Sequence, residues 1–376
     1  MGGLKVLLTN STLDLRTGTE LYVRDLALGL LRRGHTPVAY STRVGKVGRE
    51  LRRATVPVVE DLRRVASPPD IIHGQHHAET MTALLHFRNA PAVFFCHGWL
   101  PPEEAPPLFP RILRYVAVDD TCRDRLVCEH GIAEESVRVQ LNFVDLERFP
   151  PRPPLPPRPR RALVFSNYAN EATHLPAVRE ACARARLALD VMGHRSGQPC
   201  DEPEKFLGRY DLVFAKGRSA LEALAVGAAV VICDEAGSGP LVTSEEVARL
   251  RRLNFGIRAL REEVSAGALA SQIARYDAAD AAQVSRWIRE RAGLEDALDE
   301  IVALYQEVLE EHRGAGPPDA DTEGRAAADY LRWAQTDIWR ERESFKSSSV
   351  IRLRDRLLAA PLLGPTARAL SRRLSR

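Results

Sequence analysis

One proline-rich segment near the middle of the chain restricts what it can fold into more than any other feature. Residues 150–161 (PPRPPLPPRPRR) contain seven prolines in twelve positions. Proline lacks the amide hydrogen that a helix interior or a central strand needs, so the segment predicts a semi-rigid extended linker. Because the chain has 376 residues, each side of the linker is long enough for a domain of ordinary size.

Strand and helix patterns alternate on both sides of this linker. Lys5–Thr9 (KVLLT) predicts a strand, and apolar residues at i, i+3, i+4, i+7 and i+8 between residues 23 and 31 predict an amphipathic helix. Strand–helix–strand units of this kind build parallel sheets with helices on both faces. Further strands are predicted at residues 37–40, 70–73, 92–97, 115–119, 137–141, 162–166, 189–192, 212–215 and 229–233, and further helices at 175–186 and 220–226.

The predicted fold class is therefore α/β, with two Rossmann-like doubly wound parallel-sheet domains that face a cleft and a helical C-terminal extension. The expected limits are residues 1–150 for the first domain, 151–160 for the linker, 161–312 for the second domain and 313–376 for the extension. In such sheets ligands bind beyond the carboxyl ends of the strands, so the loops at those ends are the candidate sites.

Composition excludes several classes of protein. Hydrophobic residues make up 45% of the chain and charged residues 27%, as in globular proteins with proper cores. Apolar runs are shorter than the roughly 18 residues of a membrane span. The six cysteines form no CxxC pair, which favours reduced thiols and a cytoplasmic location. A net charge of only +3 argues against nucleic-acid binding through bulk charge.

Basic charge is concentrated at the C-terminus. Residues 351–376 contain seven arginines and one aspartate, interspersed with leucine. Short amphipathic basic pieces of this kind are typical of peripheral membrane anchors, and they predict contact with the inner face of a membrane. A solvated basic end is the alternative.

The stretch 214–222 (FAKGRSALE) carries the clearest chemistry. Gly217 permits a tight turn after the predicted strand, and Ser219 is a suitable N-cap for the helix that follows. Helix-end amides with Lys216 and Arg218 beside them predict an anion site that fits a pyrophosphate. A basic turn without a ligand is the plainer alternative.

Residues 214–230 resemble the donor-binding segment of the retaining family 4 glycosyltransferases, which have the GT-B fold. The resemblance implies that Glu222 binds the donor ribose. Phe214 stands where the family has the glutamate that handles the transferred sugar. The positions that match the family pattern are Gly217, Leu221, Glu222, Ala223, Ala225, Gly227 and Val230.

Segments of the first half resemble the same family in the same order. The residues Gly18 and Thr19 look like its glycine-rich loop, which implies that they approach donor phosphate. His97 resembles its strand-end histidine, which implies contact with the transferred sugar or the leaving phosphate; an ordinary loop histidine is the alternative. Residues 141–149 resemble its NGVDxxxF segment, with Phe143 in place of glycine.

The expected phosphate-binding charges are displaced. The family carries an arginine and a lysine early in its second domain, but residues 166–171 (SNYANE) contain neither. We therefore expect Lys216 and Arg218 to neutralise the leaving group from the neighbouring loop. Gly237, Ser238 and Gly239 are predicted to form a flexible backbone edge for the sugar or its phosphates, with an ordinary surface turn as the alternative.

No metal site is expected. The histidines of residues 73–77 (HGQHH) lack a carboxylate or cysteine at a recognised spacing and predict a polar loop at the cleft edge. The DAD triplet at residues 319–321 lies in a Gly/Pro-rich break and not at a strand end, so we interpret it as chance.

The resemblance covers residues 4–312 and implies a metal-independent, retaining glycosyltransferase without a cofactor. It would use a nucleotide-diphosphate sugar as co-substrate and a glycan, lipid carrier or small molecule as acceptor. His97, Lys216 and Arg218 are the predicted catalytic residues. The alternatives are a non-catalytic GT-B scaffold, favoured by the missing family residues, and a nucleotide-sugar epimerase, which would need more carboxylates near the sugar.

Overall fold

The computed structural model describes residues 2–316 and 319–347. The described residues form two compact units. The first runs to Pro107 and continues from Arg111, and it contains both sheets. The second comprises Leu108–Pro110 and a long helix, Ala320–Ser347. The basic residues 351–376 lie outside the described residues.

The first sheet has seven strands within the described part of the chain, and all adjacent strands are parallel. They are β1 (Lys5–Thr9), β2 (Thr36–Tyr40), β3 (Val58–Val59), β4 (Ile71–Gln75), β5 (Ala92–Cys96), β6 (Ile112–Ala117) and β7 (Val137–Val139). Their spatial order is β3-β2-β1-β4-β5-β6-β7. The helices of this half are α1 (Gly18–Arg32), α2 (Lys46–Arg53), α3 (His77–His86) and α4 (Asp120–Asp124).

The second sheet has five strands in the described residues, and only the edge strand β12 is antiparallel to its neighbour. The strands are β8 (Arg161–Phe165), β9 (Ala188–Met192), β10 (Leu212–Ala215), β11 (Ala229–Asp234) and β12 (Gly237–Leu241), in the order β12-β11-β10-β8-β9. The accompanying helices are α5 (Leu175–Arg184), α6 (Gly217–Val226), α7 (Val247–Arg252), α8 (Ala266–Ala274) and α9 (Ala278–Arg291).

Strand residues of the second sheet alternate between two cores. Leu163 and Val213 pack with α6 and α9 on one face. Val164 and Phe214 pack with α5 and α8 on the other. Because successive side chains of a strand point to opposite faces, strands covered on both sides are apolar throughout, as observed here. The predicted doubly wound α/β architecture is confirmed.

Helix α10 (Leu294–Ala315) follows α9 but packs against the first half of the chain. Gly29 of α1 makes this approach close, because a Cβ atom there would lie 2.4 Å from Leu298 Cδ1. The Tyr305 hydroxyl lies 2.7 Å from His73 Nδ1 on β4. By its contacts α10 therefore accompanies the first sheet, although the sequence places it in the second predicted domain. The final described helix is α11 (Ala320–Ser347).

The strand order reverses once in each sheet. In the first sheet β1 lies between β2 and β4, and in the second β8 lies between β9 and β10. The chain leaves these neighbouring strands in opposite directions, so a crevice opens at their carboxyl ends. The loops after β1, β8 and β10 are therefore the positions at which this fold can hold a ligand.

Candidate active site

One cavity lies where the loops after β1, β8, β9 and β10 meet. Of the residues predicted from the sequence, Gly18, Arg218, Ser219 and Glu222 line it. Other lining residues were not predicted as site residues, among them Ser166, Asn167, Gly193 and two arginines. Among the described residues, Thr19, His97, Lys216 and Gly217 are not part of the lining, nor are residues 237–239.

The loop before α1 is fixed by a buried carboxylate. Glu20 is fully buried, and its side chain accepts hydrogen bonds from the backbone N–H groups of Asp14 and Leu15 at 2.9 Å. It also accepts one from the N–H of Thr17 at 2.8 Å. This cap leaves Gly18, the first residue of α1, at the cavity with open space beside its Cα. A ligand can approach the backbone there, close to the helix N-terminus.

Helix α6 begins directly after β10 through a glycine in the left-handed conformation. Gly217 has φ +57°, a left-handed conformation that glycine adopts without a side-chain clash. Lys216 is the N-cap residue, so Ser219 lies inside the first turn and is not the N-cap that the sequence predicts. The turn nevertheless brings Ser219 to the cavity, which places the positive end of α6 at the site.

Arg218 is held between two carboxylates. Its Nε donates to Glu222 Oε1 at 2.8 Å, and its Nη2 pairs with Asp25 of α1. Burial disfavours the charged guanidinium, but Asp25 and Glu222 together raise the pKa of Arg218 above its ordinary value. Burial likewise opposes ionisation of Asp25, yet Arg218 and Arg24 hold its pKa below the usual range. Arg218 is therefore a permanent cation that joins α1 to α6.

Lys216 is not among the residues that line the cavity. Its ammonium group pairs with the carboxylate of Asp234, at the end of β11, and lies 5.5 Å from the ring centroid of Tyr168. Asp234 is itself buried and accepts a hydrogen bond from the Ser166 hydroxyl at 3.1 Å. The structure therefore does not bring Lys216 and Arg218 to one phosphate site. The arginines that accompany Arg218 in the lining are Arg16 and Arg148, which sequence reasoning missed.

His97 follows β5, as predicted, but its ring packs against residues of the first half of the chain. Its ring packs edge-on against Tyr22 with the centroids 4.6 Å apart, and its backbone N–H donates to Glu104 Oε2 at 2.7 Å. The buried Nε2 atom has no hydrogen-bond partner among the described residues. Burial, opposed by Glu104 and reinforced by His76, lowers the pKa of His97 to about 4. The imidazole is therefore neutral near pH 7.

Comparison with known proteins relates these loops to a family. Residues 16–148 match the model of Glycosyltransferase Family 4. A glycosyltransferase from Rickettsia africae superposes with a TM-score of 0.60 at 16% identity, over 82% of this chain and 99% of that chain. Anabaena HepE in complex with UDP and glucose gives 0.58 at 14% identity, over 81% and 99%. No curated protein matches the sequence.

Over residues 16–148 the chain resembles Glycosyltransferase Family 4, which confirms the predicted resemblance for that part of the chain. The two solved structures share its fold and confirm the predicted architecture. The matched range contains the Gly18 loop, His97 and Arg148.

Phe214, which departs from the pattern of the family that the chain resembles, lies in the second sheet. Phe214 lies in β10, is fully buried and packs in the core between β10 and the helices α5 and α8. The strand continues to Ala215, so the position that carries a sugar-handling glutamate in the family faces a hydrophobic core here.

The predicted flexible glycine edge is a strand. Gly237, Ser238 and Gly239 begin β12, and all three are buried. The Ser238 N–H donates to the Glu262 carbonyl at 2.8 Å, and a Cβ atom on Gly239 would lie 2.4 Å from the Ala259 carbonyl oxygen. The prediction of a flexible, ligand-facing backbone is therefore corrected, because these residues serve close packing against the segment that follows α7.

The histidine-rich segment is also not a loop. His73 and Gln75 belong to β4 and are fully buried, and His77 begins α3. His73 lies within the sheet among the apolar neighbours of β4, and its Nδ1 forms a hydrogen bond with the Tyr305 hydroxyl. Within residues 2–316 and 319–347, no group of three or more His, Cys, Asp or Glu side chains is arranged to hold a metal ion. None of the helices described there is long and apolar enough to cross a membrane.

Proposed function

We propose that this chain is a glycosyltransferase that moves a sugar from a nucleotide-diphosphate sugar to an acceptor hydroxyl without a metal ion. The observation that carries the proposal is the cavity at the two crevices, which joins a cation with little exposure, Arg218, to a buried carboxylate, Glu222. A nucleoside diphosphate needs both, since its phosphates pair with guanidinium groups and its ribose hydroxyls donate to carboxylates. Anabaena HepE, which shares the fold, was solved with UDP and glucose and with UDP-glucose.

We assign the two sides of this pair separate roles. Glu222 Oε1 receives the Arg218 hydrogen bond, so Oε2 is the atom assigned to the ribose. Arg218 stays charged throughout and stabilises the negative charge that develops on the leaving nucleoside diphosphate. The start of α6 adds partial positive charge at Ser219.

His97 is assigned to the sugar side. Because its pKa is lowered to about 4, it acts as a neutral hydrogen-bonding group and not as a cation. Its buried Nε2 is the atom that would meet a sugar hydroxyl. Family resemblance supports retention of the anomeric configuration, and with Phe214 in the core the sugar contacts must come from residues other than the usual glutamate.

For the acceptor we propose a glycan or a lipid-linked sugar. The basic residues 351–376 support the lipid-linked form, because an anchor at the inner face of a membrane would bring the enzyme to such an acceptor. We propose a cytoplasmic location for the same reason.

The two alternatives make different chemical demands. A non-catalytic scaffold is favoured by Phe214 and by the absence of arginine and lysine from residues 166–171. An epimerase needs groups that remove and return a proton, and Glu222 is the single carboxylate among the described residues that line the cavity. The described cavity therefore supports glycosyl transfer better than epimerisation.

Product analysis with a panel of nucleotide sugars tests the proposal. Wild-type protein is incubated with each donor, with and without a membrane-lipid and glycan extract, and products are identified by mass spectrometry. The proposal predicts a new glycoside and free nucleoside diphosphate only when acceptor is present. An epimerised donor without acceptor would identify an epimerase, and unchanged donors in the presence of bound nucleotide would identify a scaffold.

A further inference from the structure

Three guanidinium groups from distant parts of the chain line the cavity. Arg16 lies in the loop before α1, Arg148 in the connection between β7 and β8, and Arg218 in the first turn of α6. We propose that Arg16 and Arg148 complete, with Arg218, a clamp for the diphosphate of the donor. This arginine clamp rests on the proposed function and extends it, because it assigns the phosphate charges to residues outside the second sheet.

The charge of the lining supports an anionic ligand. The charged residues described in the lining are the three arginines and Glu222. The side chains of Arg16, Arg148 and Arg218 are only 12%, 19% and 13% exposed. Each guanidinium has a carboxylate partner, and a bound dianion would add charge-assisted hydrogen bonds in a poorly solvated cavity. Ser166 and Asn167 stand where the family loop carries its basic residues, so these two side chains cannot neutralise a bound anion.

Carboxylates that line a neighbouring cavity, which Arg16 and Arg148 also border, orient the two added arginines. Arg16 Nη1 pairs with Glu50, and Arg148 Nη2 donates to Glu204 Oε2 at 2.7 Å. Neither glutamate is part of the described lining of the first cavity. A guanidinium has five N–H donors, so one ion pair fixes its plane and leaves several donors for phosphate oxygens.

The same partners keep Arg148 charged. Burial disfavours its guanidinium, but Glu204 and Asp25 raise the pKa of Arg148 above the ordinary value. The N-termini of two helices also favour an anionic ligand. Gly18 is the first residue of α1, Ser219 lies in the first turn of α6, and both border the cavity. Side-chain cations and helix ends thus supply positive charge from both halves of the chain.

The clamp selects a class of donor. Arg16 lies in the loop before α1 and Arg218 in the first turn of α6, so the clamp presents charges from separate elements to one ligand. A diphosphate offers two charged groups for this, and a monophosphate offers one. The clamp therefore favours nucleoside-diphosphate sugars over nucleoside-monophosphate sugars.

Calorimetry with matched nucleotides tests the clamp. The nucleoside diphosphate that binds wild type best and its monophosphate are titrated into wild type, Arg16→Gln, Arg148→Gln and the double variant. Losing one charge-assisted contact should weaken diphosphate binding roughly tenfold in each single variant and about a hundredfold in the double variant. Monophosphate binding should weaken less, so that the ratio of the two affinities falls.

Two further variants make the result interpretable. Arg179→Gln removes an exposed arginine that pairs with Glu171 at 2.8 Å, and it should leave the ratio unchanged. Arg16→Lys and Arg148→Lys keep the charge opposite Glu50 and Glu204 and should give intermediate affinity ratios. They test the clamp if the glutamine variants fold poorly. An unchanged ratio in every Arg16 and Arg148 variant, or equal losses for both nucleotides, would overturn the clamp. Failure of wild type to bind any nucleoside diphosphate would instead refute the proposed function.

Discussion

At the scale of single residues, the buried imidazole of His97 makes a pH dependence predictable. Its pKa is about 4 in the folded chain, whereas a histidine in an unfolded chain has a pKa near 6.5. Between these values the unfolded state binds the extra proton, so the stability that His97 contributes is present above pH 6.5 and is lost as the pH falls towards 4. At pH 5 the loss from this residue is about 2 kcal/mol.

Urea unfolding of wild type and His97→Gln at pH 7.5 and pH 5.0 checks this value. Glutamine does not titrate, so the drop in unfolding free energy between the two pH values should be smaller in the variant by about 2 kcal/mol. The Glu104 carboxylate, whose pKa is lowered, contributes below this window. Identical pH dependence in the two proteins would show that the histidine titrates normally.

The candidate site was partly predictable residue by residue. Arg218 and Glu222 stand four positions apart on one helix behind a glycine turn, a local pattern that a sequence displays. Arg16 and Arg148 are 132 positions apart and each is a lone arginine in a polar loop. Only the fold brings them to one cavity, and a sequence with 53 lysines and arginines offers no signal that selects them.

At the scale of elements, the contact between α1 and α10 depends on Gly29. Any side chain there would meet Leu298, which is fully buried. Gly29→Val should therefore lower the free energy of unfolding by about 1–3 kcal/mol through overpacking. Gly267→Ala on α8 is the matched control, because a Cβ atom there meets open space and helix propensity should leave it neutral or slightly stabilising. Equal urea midpoints for the two variants would contradict the packing seen at α1.

Strands were predictable where local preference and burial agree. The apolar, β-branched runs at β1 and β10 have the bounds that the sequence indicates. Strand β12 (GSGPL) reads as a turn because of its glycines and proline. It forms because it is an antiparallel edge strand, where proline is tolerated, and because glycine allows close approach to Ala259. Helix α2 was missed for a different reason, since its eight residues are mostly charged.

At the scale of the whole molecule, the proline-rich linker predicted the two α/β series. It did not predict that α10 packs against the first sheet. The residue pattern of an amphipathic helix does not specify which sheet the helix packs against. That choice is made by Gly29 and by His73, whose hydrogen bond to Tyr305 joins residues 232 positions apart.

The basic residues 351–376 give a prediction about membrane contact. The 376-residue chain should sediment with anionic liposomes, and a chain truncated to residues 1–346 should not, because seven arginines lie in residues 351–376. Zwitterionic liposomes serve as the control, since the electrostatic part of the attraction is absent there. Equal and negligible binding by both chains would remove the membrane contact from the account.

Binding of nucleoside diphosphates tests the central claim most directly. UDP, GDP, ADP and dTDP are titrated by calorimetry into wild type, Glu222→Gln and Arg218→Gln. The account predicts that wild type binds at least one of them and that Glu222→Gln weakens it by roughly one to two orders of magnitude, since a charge-assisted hydrogen bond contributes about 1.5–3 kcal/mol. Arg218→Gln should weaken the diphosphate more than the uncharged nucleoside. If wild type binds none of the four at millimolar concentration, the cavity is not a donor site, and a non-catalytic scaffold explains the chain better.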